Sequence, residues 1–235
     1  KEKYIPEMIK GNLIGCFGLT ESISGSDPSS METNFEEVSD GYVINGSKNW
    51  VTSGINSDLV ILFCLTEKGI GSKGISCFVI EKEIPGLIVG KKEEKLGIRA
   101  SDTSELFFEN CKIPKNNRVG NEGEGFSIAM NVLSGGRIGI GAQAVGLARS
   151  SLEKSVLYAK DRKQFGKSIG EFGAIQNKLA KMATKIDAAR LLVWQAAFLK
   201  DRREKYAKQS SMAKLFASSV AVEAASDCIQ IHGGY

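Results

Sequence analysis

Tyr42-Val43-Ile44-Asn45-Gly46-Ser47-Lys48-Asn49-Trp50-Val51 decides how the first half of the chain reads. Two β-prone runs flank Asn45-Gly46, a dipeptide suited to a type I′ turn because both central residues there need positive φ. The stretch predicts a β-hairpin with Trp50 on or just after its second strand. Outward from it lie further short apolar runs: Leu59 to Cys64, Ile75 to Ile80, Leu87-Ile88-Val89 and Leu106-Phe107-Phe108. Asp40-Gly41, Lys68-Gly69, Pro85-Gly86 and Glu109-Asn110 punctuate them, which is strand-and-turn chemistry. After a short helical lead-in from Pro6 to Lys10, residues 1–122 read as an antiparallel β-barrel or sandwich.

Beyond Gly125 the period changes. Ile175, Leu179, Met182, Ile186 and Ala189 recur at spacings of three and four. Met212, Leu215, Ser219, Val222 and Ile229 form a second such stripe, so each set marks one face of an amphipathic helix. Three helices are expected, roughly 124–160, 171–201 and 205–231, with a glycine-bearing break from Gln164 to Gly170. Long helices joined by short loops pack as an antiparallel bundle. The fold class is therefore α+β: a β-domain over 1–122, then a helical bundle over 123–235.

Composition narrows the function. The 235 residues are 42% hydrophobic and 25% charged, which places the chain among folded globular proteins with room for one large or two small domains. No apolar run reaches the length of about 18 residues that a membrane span needs, and the first twenty residues lack a signal peptide's apolar stretch. The chain reads as soluble and intracellular. Its five cysteines contain no C-x-x-C pair and are odd in number, so they read as reduced, mostly buried thiols. Residues 1–122 carry 14 Lys and Arg against 18 Asp and Glu, while 123–235 carry 17 against 9. The basic half would attract phosphate-bearing ligands, or simply present solvated helix faces. Basic residues do not alternate with aromatics as a nucleic-acid groove requires, so no nucleic-acid partner is expected.

Catalytic machinery is scarce. One histidine, His232, and cysteines without ligand spacing do not make a usual zinc site, so no metal is expected. No G-x-S-x-G elbow, G-x-G-x-x-G turn or phosphate-binding P-loop occurs. The chemistry must come from a bound cofactor or a partner.

Five separated segments then carry a resemblance. They are Cys16 to Glu21 with Gly25-Ser26-Asp27; Asn45-Gly46-x-Lys48-x-Trp50-Val51-Thr52-x-Gly54; Gly97 to Thr103; Arg162 to Lys167; and Gln230 to Tyr235. In order and spacing they are similar to successive motifs of the acyl-CoA dehydrogenase family. The resemblance implies FAD as cofactor. Phe17, Leu19 and Thr20 would hold the pyrimidine end of the flavin through backbone and hydroxyl hydrogen bonds, and donors there stabilise the charge of the reduced ring. Trp50 would pack on the flavin face and, with Val51, flank Thr52, whose hydroxyl would meet flavin N5. Taken alone, Trp50 reads as a core tryptophan of a β-domain. Arg162 and Phe165, together with Gln230, Gly233 and Gly234, would reach the adenosine diphosphate of a neighbouring subunit's FAD, since a guanidinium donates in fork geometry to a pyrophosphate. Gly173 stands where the family commonly has a glutamine after the Glu171-Phe172 pair. Ser26, Ser134 and Arg137 match positions facing the thioester and CoA, Ser26 also bordering the cofactor.

The implied reaction is α,β-dehydrogenation of an acyl-CoA thioester, with a carboxylate taking the α-proton, hydride passing to N5, and an electron-transferring flavoprotein as electron acceptor. A homodimer or homotetramer is implied as well. Some family members carry the catalytic glutamate just before the arginine that matches Arg137, but Gly136 stands there. Others carry it after the glycine pair that matches Gly233-Gly234. No catalytic residue is therefore assigned within these 235 residues, and the chain is expected to correspond to the middle and most of the C-terminal domain of a longer enzyme. An acyl-CoA oxidase-like flavoenzyme and a non-catalytic FAD-binding scaffold of the same fold are the alternatives.

Overall fold

The computed structural model describes residues 1–66 and 71–235, so the expected Lys68-Gly69 turn lies outside the described residues. A short helix, α1 (Ile5–Lys10), leads into eight strands: β1 (Gly15–Gly18), β2 (Asn34–Val38), β3 (Gly41–Thr52), β4 (Leu59–Leu65), β5 (Ile75–Glu81), β6 (Leu87–Lys92), β7 (Thr103–Pro114) and β8 (Arg118–Val119). The strands run β6-β7-β3-β2-β4-β5-β8, with β1 added in parallel alongside β4. Most neighbours are antiparallel, while β2 and β4 touch in parallel at the single pair Asn34–Leu65. The sheet folds over on itself. Tyr42 on β3 and Phe78 on β5 are not on adjacent strands, yet their rings lie 5.1 Å apart, and Phe35 on β2 meets both. Alternate residues of the two halves, including Ile44, Val51, Val60, Leu62, Ile80, Leu106 and Phe108, fill the space between as one buried core.

The hairpin expected at Asn45-Gly46 does not form there. Strand β3 runs unbroken for 12 residues, and the two-residue turn sits at Ser39-Asp40, where Val38 pairs with Gly41. Asn45-Gly46 and Glu109-Asn110, both read from the sequence as turns, are instead the two sides of one irregularity in the β3–β7 pairing. Asn110, at φ 51°, donates its N–H to Asn45 Oδ1 at 2.8 Å. Gly46 serves close approach: at φ 139° a Cβ there would lie 2.6 Å from Thr33 Cα. Local turn chemistry lost to the longer strand pairing, which satisfies more backbone groups.

The helices match the expected lengths. They are α2 (Gly125–Asp161), α3 (Gly173–Asp201) and α4 (Ala207–His232), with the small strands β9 (Lys163–Gln164) and β10 (Lys167–Ser168) between the first two. The chain divides into two compact units, Lys1–Met130 and Asn131–Tyr235. In the second unit, ion pairs Lys178–Asp227 and Lys185–Glu223 show that α3 and α4 run antiparallel. On α3 the expected stripe faces inward, with Met182, Ile186 and Ala189 buried and Ile175 and Leu179 packed against them.

On α4 the expected stripe faces the wrong way. Met212, Leu215, Val222 and Ile229 are 45–71% exposed, and the buried face is Ser210, Ala213, Ala217, Val220, Ala224 and Ile231. Both stripes obey the same spacing, so periodicity could not choose between them; side-chain size misled. Close helix approach selects the small residues: a Cβ at Gly141 on α2 would sit 3.7 Å from the backbone of Ala213 on α4 and 3.0 Å from Val193 on α3.

No described helix is long and apolar enough to cross a membrane, and no metal-holding cluster occurs among the described residues. The five cysteines are free. Burial pushes Cys64 and Cys77 up to about 12, which keeps these thiols protonated and unreactive.

Candidate functional site

Strand β3 carries the first candidate site at its C-terminal end. Alternation from Tyr42 and Ile44 would turn Lys48 and Trp50 both inward. Lys48 is indeed fully buried, but the pairing slips between Lys48 and Val51, so two residues of β3 oppose one of β7. At this bulge Trp50 takes φ 57°, a conformation unfavourable for a bulky residue, and is 63% exposed. The bulge therefore reverses the side to which Trp50 would otherwise point. Val51 returns to the core at 1% exposure, leaving only its backbone for a ligand, and Thr52 is exposed. A large apolar ring held outward at a strained position points to binding rather than packing.

The segment after β1 lies against this bulge. Asn49 N–H donates to the Thr20 carbonyl at 2.8 Å, and Lys48 Nζ donates to the Leu19 carbonyl at 3.2 Å. The two segments that carry the resemblance are thus brought together across 29 residues of sequence. Among the described residues neither the N–H nor the hydroxyl of Thr20 has a hydrogen-bond partner, although Thr20 is half-buried. Phe17 packs its ring 5.0 Å from Phe63, and Leu19 is buried. Ser26 is exposed in the loop that Ser24 and Asp27 fold. Beyond Thr52, Asp102 accepts from Ile55 N–H and Asn56 Nδ2, both at 2.8 Å, while its carbonyl accepts from Ser53 N–H at 3.0 Å. Burial raises the Asp102 pKa, but these donors outweigh it and hold the carboxyl below the usual range.

Sequence reasoning named none of Glu21, Lys48 and Asp102 as site residues. Glu21 is 6% exposed and accepts from Lys48 Nζ at 2.6 Å, Glu32 N–H at 2.6 Å and Thr33 N–H at 3.1 Å. Burial opposes its charge, yet Lys48 and these donors hold its carboxyl below the ordinary value near 4.5. Such a carboxylate is committed to structure and is no candidate proton acceptor. The available signal was strand alternation, which places a lysine inward at position 48 and requires a buried partner for it.

A second cluster forms where α2 and α4 end. Phe165 and Gly166 both take positive φ, 53° and 77°, and make a two-residue turn between β9 and β10 that leaves the Phe165 ring 93% exposed. Arg162 lies just before this hairpin, its guanidinium 5.5 Å from the centre of the Tyr235 ring. Tyr158 stacks on His232 at 4.3 Å, which ties the α2 end to the α4 end. Gly233 ends α4 at φ 72° with Gly234 exposed after it, and Gln230 is exposed on the last turn. Arg162 is thus brought to the chain segment of Gly233 and Gly234, 71 and 72 residues further on, through Tyr235. Ser134 and Arg137 sit elsewhere, one helical turn apart on α2, with Arg137 Nη1 3.3 Å from Ser134 Oγ. Beside them Gly136 faces open space and carries no carboxylate.

A mixed β-domain followed by three long helices is the fold of the acyl-CoA dehydrogenases. The middle-domain model of acyl-CoA dehydrogenases matches residues 16–111, and the C-terminal-domain model matches residues 123–235. The chain is 50% identical to an acyl-CoA dehydrogenase of Bacillus subtilis over its whole length, covering 62% of that protein. It is 46% identical to the mitochondrial short-chain specific acyl-CoA dehydrogenase of Mus musculus, covering 57% of it. The structure of butyryl-CoA dehydrogenase from Megasphaera elsdenii superposes over all of this chain and 61% of that one, with a TM-score of 0.97 and 43% identity. The chain belongs to the acyl-CoA dehydrogenase family of flavoprotein oxidoreductases. It spans about three fifths of the length of the curated relatives it matches.

Proposed function

We propose that the chain carries the FAD-binding part of an enzyme that dehydrogenates a short-chain acyl-CoA thioester between Cα and Cβ. One observation carries this reading: the unpartnered N–H and hydroxyl of Thr20 lie in a loop bonded to the bulge that turns Trp50 outward. These groups fit a flavin, since a flat heteroaromatic ring needs an aromatic face and donors at its polar edge. Phe17, Leu19 and Thr20 would receive that edge, Trp50 the ring face, and Thr52 would donate beside it. Ser26 would border both cofactor and thioester. When bound, FAD supplies the hydride acceptor for the oxidation. Identity to a short-chain specific relative supports a short acyl group.

Arg162, Phe165, Gln230, Gly233 and Gly234 would bind the diphosphate and adenosine end of an FAD held mainly by a second copy of the chain. Their exposure, and the nearness of Arg162 to the α4 terminus, support this. Ser134 and Arg137 would meet the CoA side. No proton acceptor is assigned among these residues, because Glu21 is engaged by Lys48 and Gly136 is bare. Electrons would leave to an electron-transferring flavoprotein, and the fragment alone would turn over poorly.

The test of the site is flavin retention. Protein purified from its native host is expected to carry visible flavin absorption, and Trp50→Ala to bind FAD about tenfold more weakly or worse. The melt of the flavin-free protein should hardly move, because Trp50 is outside the core. Equal FAD affinity in Trp50→Ala would contradict the assignment.

Assembly as a homodimer or homotetramer belongs to the same proposal. Leu191, Trp194 and Phe198 on α3 are exposed, as are Met212, Leu215, Val222 and Ile229 on α4. Apolar faces this long are normally covered. Sedimentation equilibrium should return the mass of two or four chains, whereas a monomer at micromolar concentration would rule the assembly out.

A further inference from the structure

Two opposite charges lie where the β-domain could hold apolar side chains. Lys48 is fully buried and Glu21 nearly so. All three protons of the ammonium are used: toward Glu21 Oε1 at 2.6 Å, the Leu19 carbonyl at 3.2 Å and Met31 Sδ at 3.8 Å. The aliphatic stem packs beside Gly18, where a Cβ would lie 3.4 Å from Lys48 Cγ and 3.2 Å from Leu62 Cδ1. Replacing a buried ion pair by well-packed apolar residues is often neutral or stabilising, so stability alone does not account for it.

What the pair does is geometric. Lys48 binds the Leu19 carbonyl, Asn49 binds the Thr20 carbonyl, and Glu21 accepts from Lys48 and Thr33 N–H at Oε1 and from Glu32 N–H at Oε2. Three consecutive loop residues are therefore pinned to two consecutive residues of β3. Because a trans peptide sets N–H opposite to C=O, fixing the Leu19 carbonyl toward Lys48 turns the Thr20 N–H away from the core. That N–H is the donor left without a partner.

We infer that Lys48 and Glu21 are positioning residues, which act through the Leu19–Thr20 peptide to aim the Thr20 N–H and hydroxyl at the polar edge of the flavin. This rests on the flavin reading of the site. The pair should tune both FAD affinity and flavin potential without touching the cofactor.

The decisive variant is the double substitution Lys48→Met with Glu21→Gln. It removes both charges together, leaves no lone buried ion, and keeps a carbonyl to accept from Glu32 and Thr33. We expect a folded protein with a melting temperature near the parent's. It should bind FAD at least about tenfold more weakly, with the flavin midpoint potential moved negative because the reduced ring loses an aligned donor. In flavin-free protein, amide hydrogen exchange over residues 18–24 should quicken about tenfold or more while strands β4 and β5 keep their protection. Parent-like exchange, affinity and potential in the double variant would overturn the inference, as would failure of that variant to fold, which would make the pair a stability element. A parent that binds no FAD would instead defeat the flavin reading, and the exchange experiment would still decide whether the pair anchors the loop.

Discussion

Phe78→Ala is expected to cost the β-domain about 3–5 kcal/mol, the largest loss of any single core truncation in it. The ring is fully buried and touches two other rings, Phe35 at 4.9 Å and Tyr42 at 5.1 Å, both nearly edge-on. Removing it opens a ring-sized cavity and forfeits two aromatic pairs, each worth about 0.5–1.5 kcal/mol beyond area burial. The neighbours cannot close that space easily. Tyr42 is fixed through its hydroxyl, which accepts from Arg118 Nη1 at 2.9 Å, and Phe35 belongs to the strand that bridges the two halves of the sheet. Urea unfolding followed by tryptophan fluorescence, with Trp50 reporting on the β-domain, should show the loss as a lower midpoint at unchanged slope. A loss under about 1 kcal/mol would mean that the folded-over sheet is not the load this core carries.

Gly46→Ala is expected to be nearly as damaging, at about 2–5 kcal/mol, although it adds one methyl group. The new Cβ would lie 2.6 Å from both Thr33 Cα and Thr33 Oγ1, closer than atoms pack, and φ 139° is unfavourable for any L side chain. Relief would require β3 to move from Thr33, breaking the bond from Thr33 Oγ1 to the Ser47 carbonyl at 3.0 Å. Thr33 N–H is also one of the donors to Glu21, so the strain would reach the Leu19–Glu21 loop. The variant should therefore lose FAD affinity along with stability. Gly136→Ala makes the control, since its Cβ meets nothing within 4 Å. If Gly46→Ala melts like the parent, the close-approach account of this glycine is wrong.

These two positions also show what the sequence could and could not tell. Phe78 lies in an apolar run whose strand character was plain, and β5 forms there. Asn45-Gly46 carries the strongest local turn signal, whereas the structure uses Gly46 to let Thr33 approach a continuous strand. Local signals cannot see a partner strand more than 50 residues away, and β7 supplies one. The same limit explains Trp50: alternation sends it inward, and only the bulge against β7 sends it out. On α4 two stripes shared one spacing, and the larger residues looked like the core when the alanines were. Helix lengths, by contrast, were legible nearly to the residue, because period and breakers are local properties. The candidate binding residues were legible through family resemblance, but the buried Lys48–Glu21 pair behind them was visible only once the loop and strand were seen together.

The proposed function, flavin binding for the oxidation of an acyl-CoA, has a direct readout in the colour of the flavin. The most direct measurement is anaerobic addition of acyl-CoA thioesters of graded chain length to the natively expressed, flavin-containing protein, followed by flavin absorbance. Rapid bleaching by a short-chain thioester such as butyryl-CoA is expected, with return of colour only when an electron acceptor is added. Flavin that stays oxidised with every chain length would contradict it and leave a cofactor-binding scaffold in its place.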